Sequence, residues 1–124
     1  MTKANTTDRL HKLSGICLKL PEATRKDMGD HAGFLIRKKT FAYYLNNHHG
    51  DGIISVCCKV LPHENTLLVA VNSNKFYIPA YIGPRGWVGL RLDHATVDWN
   101  EVAELVSGSY LQMAPKKLAS LLER

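Results

Sequence analysis

The sequence predicts an α+β fold, a two-layer sandwich in which N- and C-terminal helices cover one face of a mostly antiparallel sheet. Apolar residues recur at helical spacing before residue 21 and again after residue 98. Between these segments, short apolar runs alternate with turn sequences, as expected for strands. The chain has 124 residues, of which 45% are hydrophobic and 22% charged, so we expect a single domain spanning residues 1–124.

The first predicted helix spans residues 7–20. Its apolar stripe consists of Leu10, Leu13, Cys17 and Leu18. We expect Thr7 or Asp8 to cap its start and Pro21 to end it, because proline cannot continue the hydrogen bonds of a helix. The N-terminal segment MTKANTTDRLHK is polar and resembles neither a signal peptide nor a membrane anchor. We therefore expect a cytoplasmic protein.

Two hairpins and a central strand are predicted in the middle of the chain. GFLIRKKTFAYYL is typical of two strands joined by a tight turn at residues 37–40, and IISVCCKV is typical of a strand near the centre of a sheet. HENTLLVAV predicts a helix of about two turns. KFYIPAYI and GWVGLRL then predict a second hairpin across the turn at residues 83–86.

The last long helix is predicted to begin at the segment DWNEV. Asp98 is expected to cap it, and Glu101 completes the capping pattern three residues later. Pro115 is expected to start one further helical turn. The order of helix, strands and helix is that of an α+β layered fold.

Strand alternation assigns an aromatic and basic surface to the second hairpin. On GWVGLRL, one side carries Val88, Leu90 and Leu92, and the other carries Trp87, Gly89 and Arg91. If the aliphatic side of each strand faces the core, the open face of the sheet carries Tyr77, Tyr81, Trp87 and Arg91, with Arg85 at the turn. The turn of the first hairpin adds Arg37, Lys38 and Lys39.

This surface has the chemistry of a nucleic-acid-binding face. Aromatic rings offer stacking surfaces for bases, and guanidinium groups match the geometry of phosphates. Two structural interpretations remain open, because cross-strand aromatic pairs also stabilise hairpins and a basic turn also protects a sheet edge. The net charge of +5 at pH 7 suits an acidic partner without requiring one.

The cysteine and histidine patterns predict no disulfide, metal or catalytic site. Three cysteines are an odd number, and Cys57 and Cys58 are neighbours whose side chains point to opposite faces of a strand. No pair of the six histidines has the spacing of metal ligands on a helix. No nucleophile is paired with a base, so we expect a protein that is not an enzyme and needs no cofactor.

Three stretches of the chain carry a resemblance to a known family. They are LPEATRKDMGDHAGFLIRKKTFAYYL, GPRGWVGLRLD and VDWNEVAELVSGSYLQMAPKKLA, in this order. Together they resemble the MmcQ/YjbR family of small bacterial proteins. The matching positions are Leu20-Pro21-Glu22, Asp30-His31, Phe34, Lys39, Gly86-Trp87, Arg91-Leu92-Asp93, Ser109-Tyr110 and Ala114-Pro115-Lys116.

The resemblance implies a CyaY-like fold, similar to frataxin, and a double-wing DNA-binding protein whose wings would be the two basic hairpins. Ala32 stands where the family often has proline. The first helix carries Arg9, Lys12 and Lys19. Because iron binding of the frataxin type needs an acidic first helix, we do not expect it here.

We therefore predict a monomeric, non-enzymatic DNA-binding protein of low sequence specificity. The residues assigned to phosphate contacts are Arg37, Lys38, Lys39, Arg85 and Arg91, and those assigned to stacking are Trp87, Tyr81 and Tyr77. The alternative is a module that binds a small anionic ligand or a peptide on the same open face. In that case Trp87 and the tyrosines would line a pocket, and Arg91 would hold a carboxylate or phosphate.

Overall fold

The computed structural model describes residues 2–94 and 96–122. Within them it contains a six-stranded antiparallel sheet and four α-helices, which confirms the predicted α+β class. The strands are β1 (Thr24–Met28), β2 (His31–Ile36), β3 (Lys39–Asn46), β4 (Ile54–Lys59), β5 (Phe76–Tyr77) and β6 (Trp87–Arg91). The helices are α1 (Thr2–Cys17), α2 (Glu64–Val71), α3 (Trp99–Met113) and α4 (Lys116–Leu122). The strand order across the sheet is β1-β2-β3-β4-β6-β5.

The core lies between one face of the sheet and the helices, as expected. Every second residue of the central strands points into it, because side chains alternate between the two faces of a strand. The sheet contributes Phe34, Ala42, Tyr44, Val56, Cys58, Val88 and Leu90, and the helices contribute Leu13, Cys17, Val102, Val106, Tyr110 and Leu118. The predicted inward side of β6 is therefore confirmed.

α3 is fixed to the sheet by hydrogen bonds as well as by packing. The Ser109 hydroxyl donates to the carbonyl oxygen of Phe41 at 2.6 Å and accepts from the backbone N–H of Lys59 at 3.0 Å. The Asp98 side chain accepts from the backbone N–H groups of Asn100 and Glu101 at 3.0 and 3.2 Å. Asp98 is thus the N-cap of α3, as the sequence predicted.

α1 begins and ends earlier than expected. Since the helix starts at Thr2 and runs through Asp8, the predicted cap at Thr7 or Asp8 is wrong. The helix ends at Cys17, and Leu18 is 45% exposed instead of continuing the apolar stripe. Among the described residues, no helix has both the length and the apolar composition needed to span a membrane.

β1 is a strand that the sequence analysis did not anticipate. It pairs with β2 from Thr24 opposite Leu35 to Met28 opposite His31. All five of its residues are exposed, because it forms the edge of the sheet with water on both faces. Such a strand, here TRKDM, has no apolar alternation from which it could be predicted.

The first hairpin is confirmed. Arg37 and Lys38 occupy the turn between β2 and β3 with φ angles of 49° and 71°. Two successive positive φ angles characterise the type I′ turn, whose twist matches that of antiparallel strands. The pairing shifts register between Phe34 and Leu35, which places a bulge in this hairpin.

The second hairpin is much shorter than expected. β5 covers only Phe76–Tyr77, and residues 78–82 leave the sheet before a 3-10 turn at Gly83–Arg85 leads into β6. Pro79 has no N–H with which to extend the β5–β6 pairing. Tyr81 has a φ of 67°, which is outside the range of a strand. The predicted alternation therefore does not extend to Tyr81.

Candidate nucleic-acid interface

The turn of the first hairpin and the 3-10 turn before β6 lie at the same end of the sheet. β3 begins at Lys39, β4 ends at Lys59 and β6 begins at Trp87. The register pairs Lys59 with Trp87 and Ala42 with Cys58. Because neighbouring antiparallel strands run in opposite directions, these three strand ends lie side by side at one end of the sheet.

The C-terminal end of α3 lies at this same end of the sheet. The Gln112 side-chain nitrogen donates to the backbone carbonyl oxygen of Lys59 at 3.0 Å, and α4 begins close by at Lys116. Basic side chains from four separate parts of the chain therefore converge here. We call this set the basic end: Arg37, Lys38, Lys39, Lys59, Arg85, Lys116 and Lys117.

One member of the basic end is neutralised. Arg37 donates through Nε and Nη2 to the two carboxylate oxygens of Glu22, at 2.7 and 3.0 Å. The hydrogen bond from Arg37, helped by its charge, lowers the pKa of the Glu22 carboxyl. Within the part of the chain that the structure describes, the other members of the basic end form no ion pair.

Carboxylates gather at the opposite end of the sheet. They lie at the end of β1, in the β1–β2 turn, in the β3–β4 loop, after β6 and at the cap of α3: Asp27, Asp30, Asp51, Asp93 and Asp98. At the basic end, Glu22 is engaged with Arg37, and Glu64 accepts from the backbone N–H of Leu61 at 3.1 Å. Charge is therefore separated along the direction of the strands.

Arg91 does not join Arg85, although the sequence analysis grouped them. It ends β6, whereas Arg85 precedes the start of that strand. Arg91 donates through Nε and Nη2 to the carboxylate of Asp93, at 3.0 and 2.8 Å. Arg91 thus forms part of the opposite end, with its charge balanced by its neighbour.

Trp87 is not the exposed platform that was expected. It does lie on the face of the sheet away from the main core, but its side chain is 7% exposed. Its ring packs against that of Tyr43, with the ring centroids 5.3 Å apart. The expected exposure of Trp87 is therefore wrong, and cross-strand packing against Tyr43 accounts for its position.

The two tyrosines are also unavailable as a joint platform with Trp87. The Tyr77 hydroxyl lies 2.7 Å from the Ser55 hydroxyl, so its ring is held against the sheet. Burial, together with the nearby Cys57, raises the pKa of Tyr77. Tyr81 is 80% exposed but sits in the segment that leaves the sheet.

A cavity of about 450 Å³ does open on this face, beside residues 78–82. Its lining includes Tyr43, Tyr77 and Tyr81, together with Asp51. Neither Trp87 nor Arg91 lines it, and it contains no lysine or arginine. The tyrosines therefore line a pocket on this face, as the alternative predicted, but Trp87 and Arg91 do not, and the lining offers no lysine or arginine to hold an anionic ligand.

The cysteines are structural, as expected. Cys17, Cys57 and Cys58 are buried and carry free thiols. Burial raises the pKa of Cys57 to about 11 and that of Cys17 to about 12, so both thiols are protonated at neutral pH. Cys58 packs in the main core, whereas Cys57 lies on the opposite face beside Tyr77.

Histidines do not assemble a metal site within residues 2–94 and 96–122. No three His, Cys, Asp or Glu side chains among the described ones are grouped closely enough to hold an ion. His31 uses Nδ1 to accept from the backbone N–H of Asn46 at 3.0 Å, and its ring contacts that of His48. The side chain of His49 lies outside the described part of the chain.

Sequence reasoning missed three members of the basic end. Lys59 ends a buried strand and carries no local signal of a site, while Lys116 and Lys117 resemble the solvated end of a helix. Only the pairing of β3, β4 and β6 brings Lys59 between the two basic turns. The signal that could have indicated Lys59 is its place near the end of a predicted central strand, since that strand ends where the neighbouring antiparallel strands begin.

The fold has counterparts among solved structures. A Deinococcus radiodurans protein, DR2400, whose domain is classed as DUF419, has a TM-score of 0.68 and is 22% identical over 92% of this chain and 87% of its own. A Pseudomonas syringae protein solved by structural genomics also has a TM-score of 0.68, at 15% identity, over 83% of this chain and 97% of its own. These similarities establish the fold. No curated protein matches the sequence.

The chain is thus a small α+β protein with a basic end to its sheet. It belongs to the YjbR family, whose model matches residues 18–112. The family recognised from the sequence motifs is therefore confirmed.

Proposed function

We propose that the protein binds the phosphate backbone of DNA through the basic end of its sheet, with low sequence specificity. The observation that carries this proposal is the convergence of cations from both basic turns, from Lys59 and from the start of α4, which apart from Arg37 form no ion pair with any described residue. Five aspartates lie at the opposite end of the strands, and Lys59 forms no ion pair with the three described glutamates of the groove between α2 and α3, Glu64, Glu101 and Glu104.

This arrangement suits a polyanion for electrostatic reasons. A surface that concentrates one sign of charge attracts an oppositely charged partner and orients it during the encounter. Each phosphate contacted by a cation releases condensed counterions, which makes affinity fall steeply with salt. Contacts of this kind read the backbone and not the bases, so they give little sequence specificity.

The burial of Trp87 changes the expected binding mode. Sequence-tolerant binding of single strands relies on aromatic rings on which unpaired bases stack. With Trp87 buried and Tyr77 held by Ser55, the described residues offer no such row of rings at the basic end. We therefore expect duplex DNA to bind at least as tightly as a single strand of the same length.

The test is a fluorescence anisotropy titration of a labelled duplex at several salt concentrations. Lys38→Ala/Lys39→Ala should weaken binding and reduce the slope of log K against log salt by about two, because each phosphate contact contributes roughly 0.9. The control is Lys12→Ala/Lys26→Ala, which removes the same charge from exposed positions away from the basic end. It should leave the slope nearly unchanged.

Two outcomes would contradict the proposal. One is a dissociation constant weaker than roughly 100 μM at physiological salt, since non-specific DNA binders usually reach that affinity. The other is an equal loss of slope in both double variants, which would mean that total charge and not the basic end governs binding.

The CyaY-like fold implied by the family resemblance stays a prediction, and the proposed binding surface does not depend on it.

A further inference from the structure

We propose that a groove at the basic end, between Lys59 and Arg85, binds a phosphate monoester. We call it the Lys59–Arg85 groove. It lies between the end of β4, the start of α2 and the 3-10 turn before β6, and its volume is about 700 Å³. This inference deepens the proposed function by assigning one part of the basic end to a single phosphate group.

The lining of the groove selects for an anion. Lys59, His63 and Arg85 contribute to it from three different elements, and no aspartate or glutamate lines it. An adjoining groove between α2 and α3 shares Lys59 with it but is lined by three glutamates, Glu64, Glu101 and Glu104. The two grooves therefore differ in the sign of their charge.

Polar groups around the groove are already committed to the fold. The Thr66 hydroxyl donates to the carbonyl oxygen of His63 at 2.9 Å, and Gln112 donates to that of Lys59 at 3.0 Å. In contrast, Lys59 and Arg85 form no ion pair with any described residue. Recognition of a ligand therefore falls to the two cations, which is the chemistry of a phosphate site.

The walls of the groove are held in place before any ligand arrives. The buried side chain of Asn65 donates to the carbonyl oxygens of Gly83 and Trp87 at 3.0 and 3.1 Å, tying α2 to the turn that carries Arg85. The backbone N–H of Val60 donates to the carbonyl oxygen of Gly86 at 2.9 Å. A preformed site loses less conformational entropy on binding.

The charge of the groove favours a terminal phosphate over an internal one, and its size suits a small ligand. Sites for small ligands typically enclose about 300–1,000 Å³, a range that includes this groove. A phosphate monoester carries close to two negative charges at neutral pH, more than the single charge of a backbone diester. Lys59 and Arg85 together match that charge. The ester could be a free nucleotide or the phosphorylated end of a strand.

The experiment compares AMP with adenosine by thermal shift and by calorimetry. AMP should raise the melting temperature and bind, whereas adenosine at the same concentration should do neither. Arg85→Ala should weaken AMP binding by roughly tenfold to a hundredfold, the usual effect of losing a charge-assisted hydrogen bond. Lys59→Gln provides a second, independent variant, and circular dichroism verifies that both fold.

The matched control is Lys38→Ala/Lys39→Ala, which also lies at the basic end but does not line the groove. It should retain AMP binding while losing duplex affinity. AMP binding therefore tests the groove, and duplex affinity tests the proposed DNA surface, so that either proposal can fail without the other. The groove assignment is overturned if adenosine binds as well as AMP, if AMP does not bind, or if both groove variants bind AMP normally.

A second arm identifies the source of the phosphate. Labelled oligonucleotides with a 5′-phosphate or a 5′-hydroxyl are titrated against the wild type and Arg85→Ala. Tighter binding of the phosphorylated strand, lost in Arg85→Ala, supports recognition of strand ends. Equal binding of both strands, with AMP still bound, supports a free phosphate ester as the ligand.

Discussion

At the scale of single residues, the ring of Tyr77 covers Gly89 on the face of the sheet away from the helices. A Cβ atom on Gly89 would lie 2.3 Å from Cε1 of Tyr77, so the ring lies directly over this glycine. The Tyr77 hydroxyl lies 2.7 Å from that of Ser55 on β4. Because the ring is held at its far end, it cannot swing away easily to admit a methyl group.

We predict that Gly89→Ala destabilises the protein by about 1–3 kcal/mol, the usual cost of overpacking. In a Tyr77→Ala background the same change should cost less than about 1 kcal/mol, since the obstacle is gone. Urea unfolding of the four proteins in this double-mutant cycle measures the coupling.

Gly108→Ala is the matched control, because a Cβ atom there meets nothing within 4 Å and the residue lies on α3. It should be neutral or stabilising by up to about 1 kcal/mol. An equal cost of Gly89→Ala in both backgrounds would show that Tyr77 is not the obstacle.

At the scale of elements, α3 organises the basic end while contributing no cation to it. Ser109 joins the helix to β3 through Phe41 and to β4 through Lys59. Tyr110 donates to the carbonyl oxygen of Pro21 at 2.7 Å, which fixes the chain after α1. The Ser109-Tyr110 motif that helped to identify the family is therefore explained by how it holds these elements together.

We predict that Ser109→Ala lowers the free energy of unfolding by about 1–3 kcal/mol, because it removes the side-chain partner of a partly buried backbone N–H and of a buried carbonyl. Chemical denaturation measures the change. Ser120→Ala is the control, since its hydroxyl makes an exposed bond within α4 to Lys117, and it should stay within about 0.5 kcal/mol of the wild type. Comparable losses in both variants would rule out the bridging role.

At the scale of the whole molecule, the separation of charge has consequences for stability as well as for binding. Among the described residues, Arg37 is the one cation of the basic end that forms an ion pair, although Lys59 also borders a groove lined by three glutamates. At the other end, two of the five aspartates form ion pairs, Asp27 with Arg25 and Asp93 with Arg91. Binding is proposed for the end whose described cations, apart from Arg37, form no ion pair, and the Arg91–Asp93 pair adds stability at the other end.

The Arg91–Asp93 pair predicts how acid destabilises the protein. Burial alone would raise the pKa of Asp93, but the hydrogen bond and charge of Arg91 outweigh it, so the pKa is lowered overall. A lowered pKa in the folded state gives stability that is present above the unfolded pKa of about 3.9 and is lost as pH falls through the folded value. We expect a contribution of up to about 1 kcal/mol, because the pair is partly exposed.

Arg91→Gln should therefore be less stable than the wild type at pH 7, and the difference should shrink towards zero as pH falls through the lowered pKa of Asp93. Unfolding by urea between pH 7 and pH 2 measures this convergence. Asp93→Asn should behave in the same way, and combining the two changes should add little. A difference that stays constant with pH would mean that Arg91 acts through packing and not through the ion pair.

Much of the fold could be predicted because its signals are local. Alternation placed Val88 and Leu90 in the core, the turn sequence at Arg37 and Lys38 gave the first hairpin, and Asp98 marked the start of α3. β1 gave no signal, because an edge strand with both faces in water needs no apolar pattern.

The candidate site was predicted less well, because its properties depend on distant residues. The sequence by itself determined the α+β class, the family and the basic character of the two turns, since each follows from residues close together in the chain. Only the tertiary structure decided that Trp87 is buried, that Arg37 and Arg91 are neutralised, and that Lys59 joins Arg85 in one groove. The physical reason is that burial and ion pairing are set by contacts across the sheet, which no local pattern records.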